Sequence, residues 1–402
     1  MRKTKLFFIL ISIFFVLQNI GANNAADSIQ PVKVKPKFIY KIDNLTYFDN
    51  RMFYLPYHKS KMYLGDRLTT LAGIGLNKEG EHKLYAGVTA IVPFGTDFKE
   101  YKFQPMVYYK FERDFFCKDC FFEKQQLKLH FGILPYREMI MAMPGFIRRG
   151  SAEYTVPNLQ GALAQYALSA DEGDILMFFE YAVDWRKIKT KTQRDNFGMI
   201  LDGKFRFLTT PEGDEMFNLG FITQWDRLGH NLDSIKNNVD NIVMNVFAKI
   251  DFNLFYYMTS HHGNTFFKTI YLQLGYLGSF SNDNNFVNKK WNNSLVIDCG
   301  IQWKMISLKN SLYISLNKEK DGNLMPLHQY YPELYISDQF YRAPLYNKTE
   351  LAFDLLNIKS IFALKAQFVM HYVPKSVFDY LPDNKNFKQF GWQQKITAQV
   401  KF

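Results

Sequence analysis

Gly391-Trp392-Gln393-Gln394-Lys395-Ile396-Thr397-Ala398-Gln399-Val400-Lys401-Phe402 ends the chain on an alternation. Trp392, Ile396, Ala398, Val400 and Phe402 fall on one face, and Gln393, Lys395, Thr397, Gln399 and Lys401 on the other. A period of two is the pleat of a β-strand. A strand that is dry on one side, wet on the other and closed by an aromatic reads as the last strand of a bacterial outer-membrane barrel. One half-buried strand of a soluble sandwich gives the same pattern, so the rest of the chain must decide.

The other end bears on compartment. Met1-Arg2-Lys3-Thr4-Lys5 is basic, Leu6 to Leu17 is apolar, and Gly21-Ala22-Asn23-Asn24-Ala25-Ala26 is a stretch of small residues and Asn. That order predicts a secretory signal peptide over 1–26. The apolar run is too short for a spanning helix, which needs about 20 residues. Later hydrophobic stretches are each broken within a few residues by Lys, Asp, Glu, Asn or Gln. The exported chain is therefore soluble, or a barrel that hides its hydrophobicity by alternation. Composition favours the barrel. Aromatic residues make up 17%, with Phe 39 and Tyr 25, and barrels concentrate such residues in two interfacial girdles. The formal charge of +11 falls to +8 without Arg2, Lys3 and Lys5. That excess fits contact with anionic lipopolysaccharide or a lumen that favours anions.

Alternating segments bounded by turn residues number about sixteen, with fourteen and eighteen as competitors. They run near 37–48, 68–77, 82–93, 101–113, 121–135, 158–168, 175–186, 194–208, 215–228, 240–254, 267–279, 291–306, 309–317, 346–357, 360–373 and 390–402. Connections after even-numbered segments are short, as at Lys78-Glu79-Gly80-Glu81, Pro211-Glu212-Gly213-Asp214 and Ser307-Leu308. Long connections follow odd ones, near 49–67, 136–157, 318–345 and 374–389; the even connection 255–266, with His261 and His262, is longer than the rule wants. Membrane barrels alternate short periplasmic turns with long outer loops on an even number of strands. The fold class expected is thus a single all-β antiparallel transmembrane barrel in the cell outer membrane. The lead-in 27–36 would lie in the periplasm and the barrel would fill 37–402.

Several motifs resemble a largely uncharacterised group of porin-like outer-membrane proteins from Bacteroidota-type Gram-negative bacteria. They include Tyr47-Phe48-Asp49-Asn50-Arg51, Leu64-Gly65-Asp66-Arg67-Leu68, Phe131-Gly132-Ile133-Leu134-Pro135-Tyr136-Arg137-Glu138, Val156-Pro157-Asn158-Leu159-Gln160-Gly161 and Phe179-Glu180-Tyr181-Ala182-Val183-Asp184-Trp185-Arg186. The resemblance covers residues 38–200 best. It implies fold and location, and it carries no catalytic motif and no substrate.

The connection 136–157 follows the fifth segment, where general diffusion porins fold a loop into the lumen. Arg137, Glu138, Arg148, Arg149 and Glu153 are the candidate constriction charges, where opposed signs would set a transverse field. The bland reading is an external loop whose Arg148 and Arg149 meet lipopolysaccharide phosphates. The candidate lumen wall is Lys128, Glu180, Asp184, Arg186, Asp202, Lys204, Arg206, Lys249, Asp251, Lys304 and Lys365, with cross-strand ion pairing as the structural alternative.

Cys117-Lys118-Asp119-Cys120 sits at a turn between strands, without the helix start or second ligand pair that redox or zinc chemistry needs. His261 and His262 lack partners at ligand spacing, and Cys299 falls on the lipid face. No metal, cofactor, phosphate loop or nucleic-acid module is indicated. The expected function is passive diffusion of small hydrophilic solutes or ions, without enzyme activity, in contact with outer-membrane lipids and lipopolysaccharide. A homotrimer is one compatible assembly. Two alternatives stand. One is a lipid-modifying enzyme, a phospholipase or deacylase, using inward His130 or His371, although no serine spacing or GxSxG turn accompanies them. The other is a closed barrel serving adhesion or assembly.

Overall fold

The terminal alternation recurs around the whole barrel wall. A computed structural model describes residues 36–53, 60–76, 81–95, 100–116, 124–148, 151–169, 175–187, 196–209, 215–229, 238–252, 269–282, 291–318, 339–358, 361–374 and 388–402. The signal peptide, nearly all of the lead-in, Cys117, Cys120, Arg149, His261 and His262 lie outside these residues.

The strands are β1 (Lys37–Met52), β2 (Lys61–Leu76), β3 (His82–Pro93), β4 (Lys102–Phe116), β5 (Lys124–Pro135), β6 (Asn158–Ser169), β7 (Ile175–Lys187) and β8 (Asn196–Thr209). They continue as β9 (Glu215–Gly229), β10 (Asn238–Asp251), β11 (Thr269–Asn282), β12 (Trp291–Trp303), β13 (Ile306–Ser315), β14 (Leu345–Ile358), β15 (Phe362–Tyr372) and β16 (Phe390–Lys401). Each pairs antiparallel with its sequence neighbours, and β1 pairs with β16 from Asp43↔Lys401 to Met52↔Trp392, which closes a sixteen-stranded barrel. Closure leaves no unpaired sheet edge, the condition for crossing hydrocarbon with strands.

On β16, Trp392, Ile396 and Phe402 are exposed outward. Gln393 and Gln399 point inward and donate to Asp49 Oδ1 at 2.8 Å and Asp43 Oδ1 at 3.0 Å. Exposed aromatics ring both ends of the outer surface. Phe38, Phe116, Phe207, Phe252, Trp303 and Phe402 lie at the end of the short turns, and Trp185, Trp291, Phe390 and Trp392 at the other. A dozen residues at about 3.3 Å each, tilted by about 40°, rise roughly 30 Å, the thickness of a bilayer's hydrocarbon core. Apolar outer face, two girdles, closure and strand length together place the barrel in the outer membrane, with the short turns and both strand termini toward the periplasm.

Some boundaries differ from the sequence reading. β1 runs on to Met52 and β2 begins at Lys61, so the long first connection expected over 49–67 shrinks to 53–60. Asp49, Arg51 and Arg67 look like loop residues, yet they are buried inner-wall groups, Arg51 bonded to Asp49 at 2.7 Å and Arg67 to Asp43 at 3.1 Å. The turn expected at Ser307-Leu308 is Lys304-Met305. Lys304 is consequently not a wall residue. It sits at φ 48° in the turn, with its ammonium 5.7 Å from the Trp303 ring.

The interior is not uniformly wet. Ala182, Ile200, Ile222, Val243, Leu277, Val296, Tyr313 and Tyr346, one from each strand β7 to β14, form a buried apolar belt inside the barrel. Met139, Phe146 and Ile147 from the 136–157 segment pack against it. A charged lumen was expected on these strands; their inner faces are polar above and below the belt and apolar along it.

Candidate functional site: a loop folded into the barrel

The loop enters between β5 and β6, where Gly132 and Gly161 are cross-strand partners. Gly132 has φ +126° and Gly161 φ +156°, and a Cβ would stand 2.2 Å from the Val107 carbonyl oxygen and 2.1 Å from that of Val183. Only glycine fits such an approach. Beyond Pro135 a single 3-10 turn, Tyr136–Glu138, carries the chain inward, and a short helix, Ala152–Thr155, brings it back. The Tyr136 N–H donates to the Pro157 carbonyl at 3.0 Å and closes the base.

The wall holds the loop at many points. Both oxygens of Glu180 accept loop backbone, from the N–H of Ile140 and of Met141, each at 2.7 Å. Gln165 donates to Glu180 at 2.6 Å and to the Glu138 carbonyl at 2.7 Å. The Tyr136 hydroxyl donates to Asp184 Oδ2 at 2.6 Å, and Arg186 links Asp184 at 3.0 Å to Asp226 at 2.9 Å. Burial pushes the Tyr136 phenol well above its ordinary pKa, and the Asp184 charge adds to the rise. Glu180, Asp184 and Arg186 were read as lumen wall; they lie on the inner face of β7 and fasten the loop.

Of the five candidate constriction charges, the four that are described each meet a partner; Arg149 lies outside the described residues. Arg137 pairs with Asp43. Glu138 takes Lys41 at 2.9 Å and Lys110 at 3.9 Å. Burial pushes Glu138 up, but Lys41 and Lys110 outweigh it and hold the carboxyl below its ordinary value. Arg148 lies 3.6 Å from the centre of the Tyr136 ring and donates to the carbonyls of Ala152 and Val156. It is turned into the barrel, away from any external lipid phosphate. Glu153 faces Lys395 at 3.5 Å, while Tyr154 stacks on Tyr47 with centroids 4.2 Å apart. The charges thus form local pairs with β1, β4 and β16 rather than two opposed rows. Lys41, Asp43, Arg67, Lys110 and Gln165 were not singled out from sequence, although strand alternation puts Lys41 and Asp43 on the inner face with Asp49.

A second segment, Gln339–Arg342, also turns inward. Phe340 stacks on His371 at 4.1 Å, and Tyr341 meets Phe146 edge-on at 5.9 Å, so the two inward segments touch. His371 Nδ1 and the Tyr346 hydroxyl are 2.7 Å apart. His130 is buried parallel to Tyr108, and neither ring nitrogen has a hydrogen-bond partner among the described residues.

The remaining wall candidates lie toward the periplasmic end. Lys128 shares Glu112, at 3.4 Å, with Lys83 and Lys110. Asp202, Lys204 and Arg206 follow one another down the inner face of β8, with Asp202 opposite Glu180. Lys249 lies 4.6 Å from the Tyr271 ring, with Asp251 next on its face. Lys365 stands opposite Asp354. Cys299 is a free thiol on the outer face. Among the described residues no group of three or more His, Cys, Asp or Glu converges as a metal site.

In fold, the chain is similar to OmpT, an outer membrane protein of Vibrio cholerae, with 9% identity, 94% of this chain and 100% of that chain covered, and a TM-score of 0.48. It is similar to Pseudomonas aeruginosa OprD, with 8% identity, coverage of 91% and 95%, and a TM-score of 0.48. It is also similar to an anion-selective porin from Comamonas acidovorans, with 9% identity, coverage of 92% and 100%, and a TM-score of 0.45. No protein-family model matches the chain, and neither does the sequence of any curated protein. Sixteen strands, a girdled outer face and an inward-folded loop describe an outer-membrane β-barrel with a loop folded inside it.

Proposed function

We propose that the barrel is a channel for passive diffusion of small hydrophilic solutes or ions. The inward loop carries this reading. It narrows the interior and is fixed to the wall by buried hydrogen bonds from Glu180, Gln165 and Asp184. A segment pinned in this way holds a constant bore, and a constant bore filters by size and wall charge without a covalent step. The resemblance to porin-like proteins of Bacteroidota-type bacteria supports the fold and location that this reading needs. In this reading the partners are the solutes, the lipid and lipopolysaccharide around the girdles and, in a trimer, further copies of the barrel.

Purified protein in a planar bilayer tests it. Stepwise conductance is expected, with a reversal potential in a salt gradient that reports ion preference. Silent bilayers containing folded barrel would overturn the channel. Crosslinking of the same preparation reads the number of copies.

A further inference from the structure

Below the apolar belt, β10 to β15 enclose a cavity of about 310 Å³ near the periplasmic end, lined by Lys249, Tyr271, Gln302, Lys309, Asp354 and Lys365 among others. We propose that it is a binding subsite for small oxoanions, carboxylates or phosphate, on the solute path; the inference deepens the channel reading and rests on it.

The first support is how the cations are held. On the facing wall the lysines are committed: Lys83, Lys110 and Lys128 surround Glu112, and Lys124 meets Asp114 at 2.9 Å. Here two nearby carboxylates are hydrogen-bonded to other residues, although the charges of Lys309 and Lys365 still reach Glu350 and that of Lys309 reaches Asp298. Glu350, opposite Lys309, takes Lys348 at 3.3 Å and Gln367 at 2.7 Å. Asp298 takes Gln273 at 3.1 Å. Lys309 and Lys365 are left without an ion pair among the described residues, and Asp354 is the one carboxylate of the lining.

The second support is that the pocket is built. Lys309 faces Gly300 in register, and a Cβ on Gly300 would stand 2.4 Å from the Tyr271 ring. The missing side chain lets Tyr271 lie across the wall, and its ring carries Lys249. Three lysines thus line one cavity against a single lining carboxylate, Asp354. Its volume holds about ten waters at roughly 30 Å³ each, enough for a small carboxylate or phosphate and its hydration. Gln302 and Ser307 add polar contacts. A site of point-charge lysines beside open water holds an anion and releases it, as conduction requires.

Saturation-transfer NMR on the full chain in detergent tests this without requiring conduction. Succinate should show binding, phosphate should compete, and glucose should not. Lys309→Gln with Lys365→Gln should weaken succinate about tenfold, the loss of charge-assisted hydrogen bonds, whereas Lys124→Gln should leave it unchanged. If the double variant does not fold, Asp354→Asn provides the second arm and should tighten succinate severalfold. Equal binding of glucose, or indifference to these substitutions, would overturn the subsite. A barrel that binds succinate but stays silent in bilayers sinks the channel and spares the subsite; one that conducts without binding does the reverse.

Discussion

The two sides of the interior use the same residue types to opposite ends. From β16 round to β7, inner-wall charges are paired, and many of the pairs reach the loop: Asp43 with Arg67 and Arg137, Glu138 with Lys41, and Glu112 with three lysines. From β10 to β15, toward the periplasm, Lys249, Lys309 and Lys365 face a cavity with one lining carboxylate, while Glu350 beside it is bonded to Lys348. A charge that has been desolvated must be satisfied locally, and then it acts as a fastener. A charge left beside water keeps its field for what passes. The loop decides which is which, because it covers one set and leaves the other open.

Removing a fastener should have the largest effect. Glu180→Ala leaves the Ile140 and Met141 amides without their acceptor, at about 1–3 kcal/mol for each buried group, and Gln165 with only the Glu138 carbonyl. The loop should detach, with raised conductance and new protease cuts within 136–157; unchanged conductance would mean that the apolar belt alone holds it. A smaller contrast separates the two walls directly. Glu112→Gln should cost about 1–3 kcal/mol in urea unfolding of the lipid-inserted barrel, since three lysines lose their common partner. Lys309→Gln should stay within about 0.5 kcal/mol. Equal losses would erase the distinction. Acidification should have the mildest effect. Glu138 titrates below the ordinary carboxylate value of 4.5, so its anchoring is fully present above that value and is lost as pH falls through the depressed one. Protease sensitivity of the loop should therefore be flat from neutral pH to about pH 5 and rise only in stronger acid. A rise already near neutrality would point to another group.

Alternation made the strands legible, because the pleat repeats in every one of them and lipid demands an apolar face. The inward loop was legible in position, from its place after β5. Its chemistry was not. Arg148 reads as a constriction charge or a surface cation; it packs on Tyr136 inside the barrel. Asp49 and Arg67 read as loop residues, yet Asp49 is bonded to Arg51 two places along its own strand and Arg67 to Asp43 on the neighbouring one. The inner apolar belt was missed because Ile200 and Leu277 sit singly on faces otherwise polar, and only the loop packed against the belt reveals why.

The seam between β1 and β16 also says how the molecule must be assembled. The hydrogen bond from Gln399 to Asp43 joins residues 356 apart in sequence. Joining ends that distant costs about 3 kcal/mol more than closing a loop of about ten residues. Neighbouring hairpins can zip locally, but this seam forms only when the last strand finds the first. Until then the nascent sheet carries two open edges, each a template for the wrong chain. A chain lacking β16 should therefore be an aggregation hazard rather than a weaker channel, and quality control during biogenesis has one late event to inspect: whether the circle has closed.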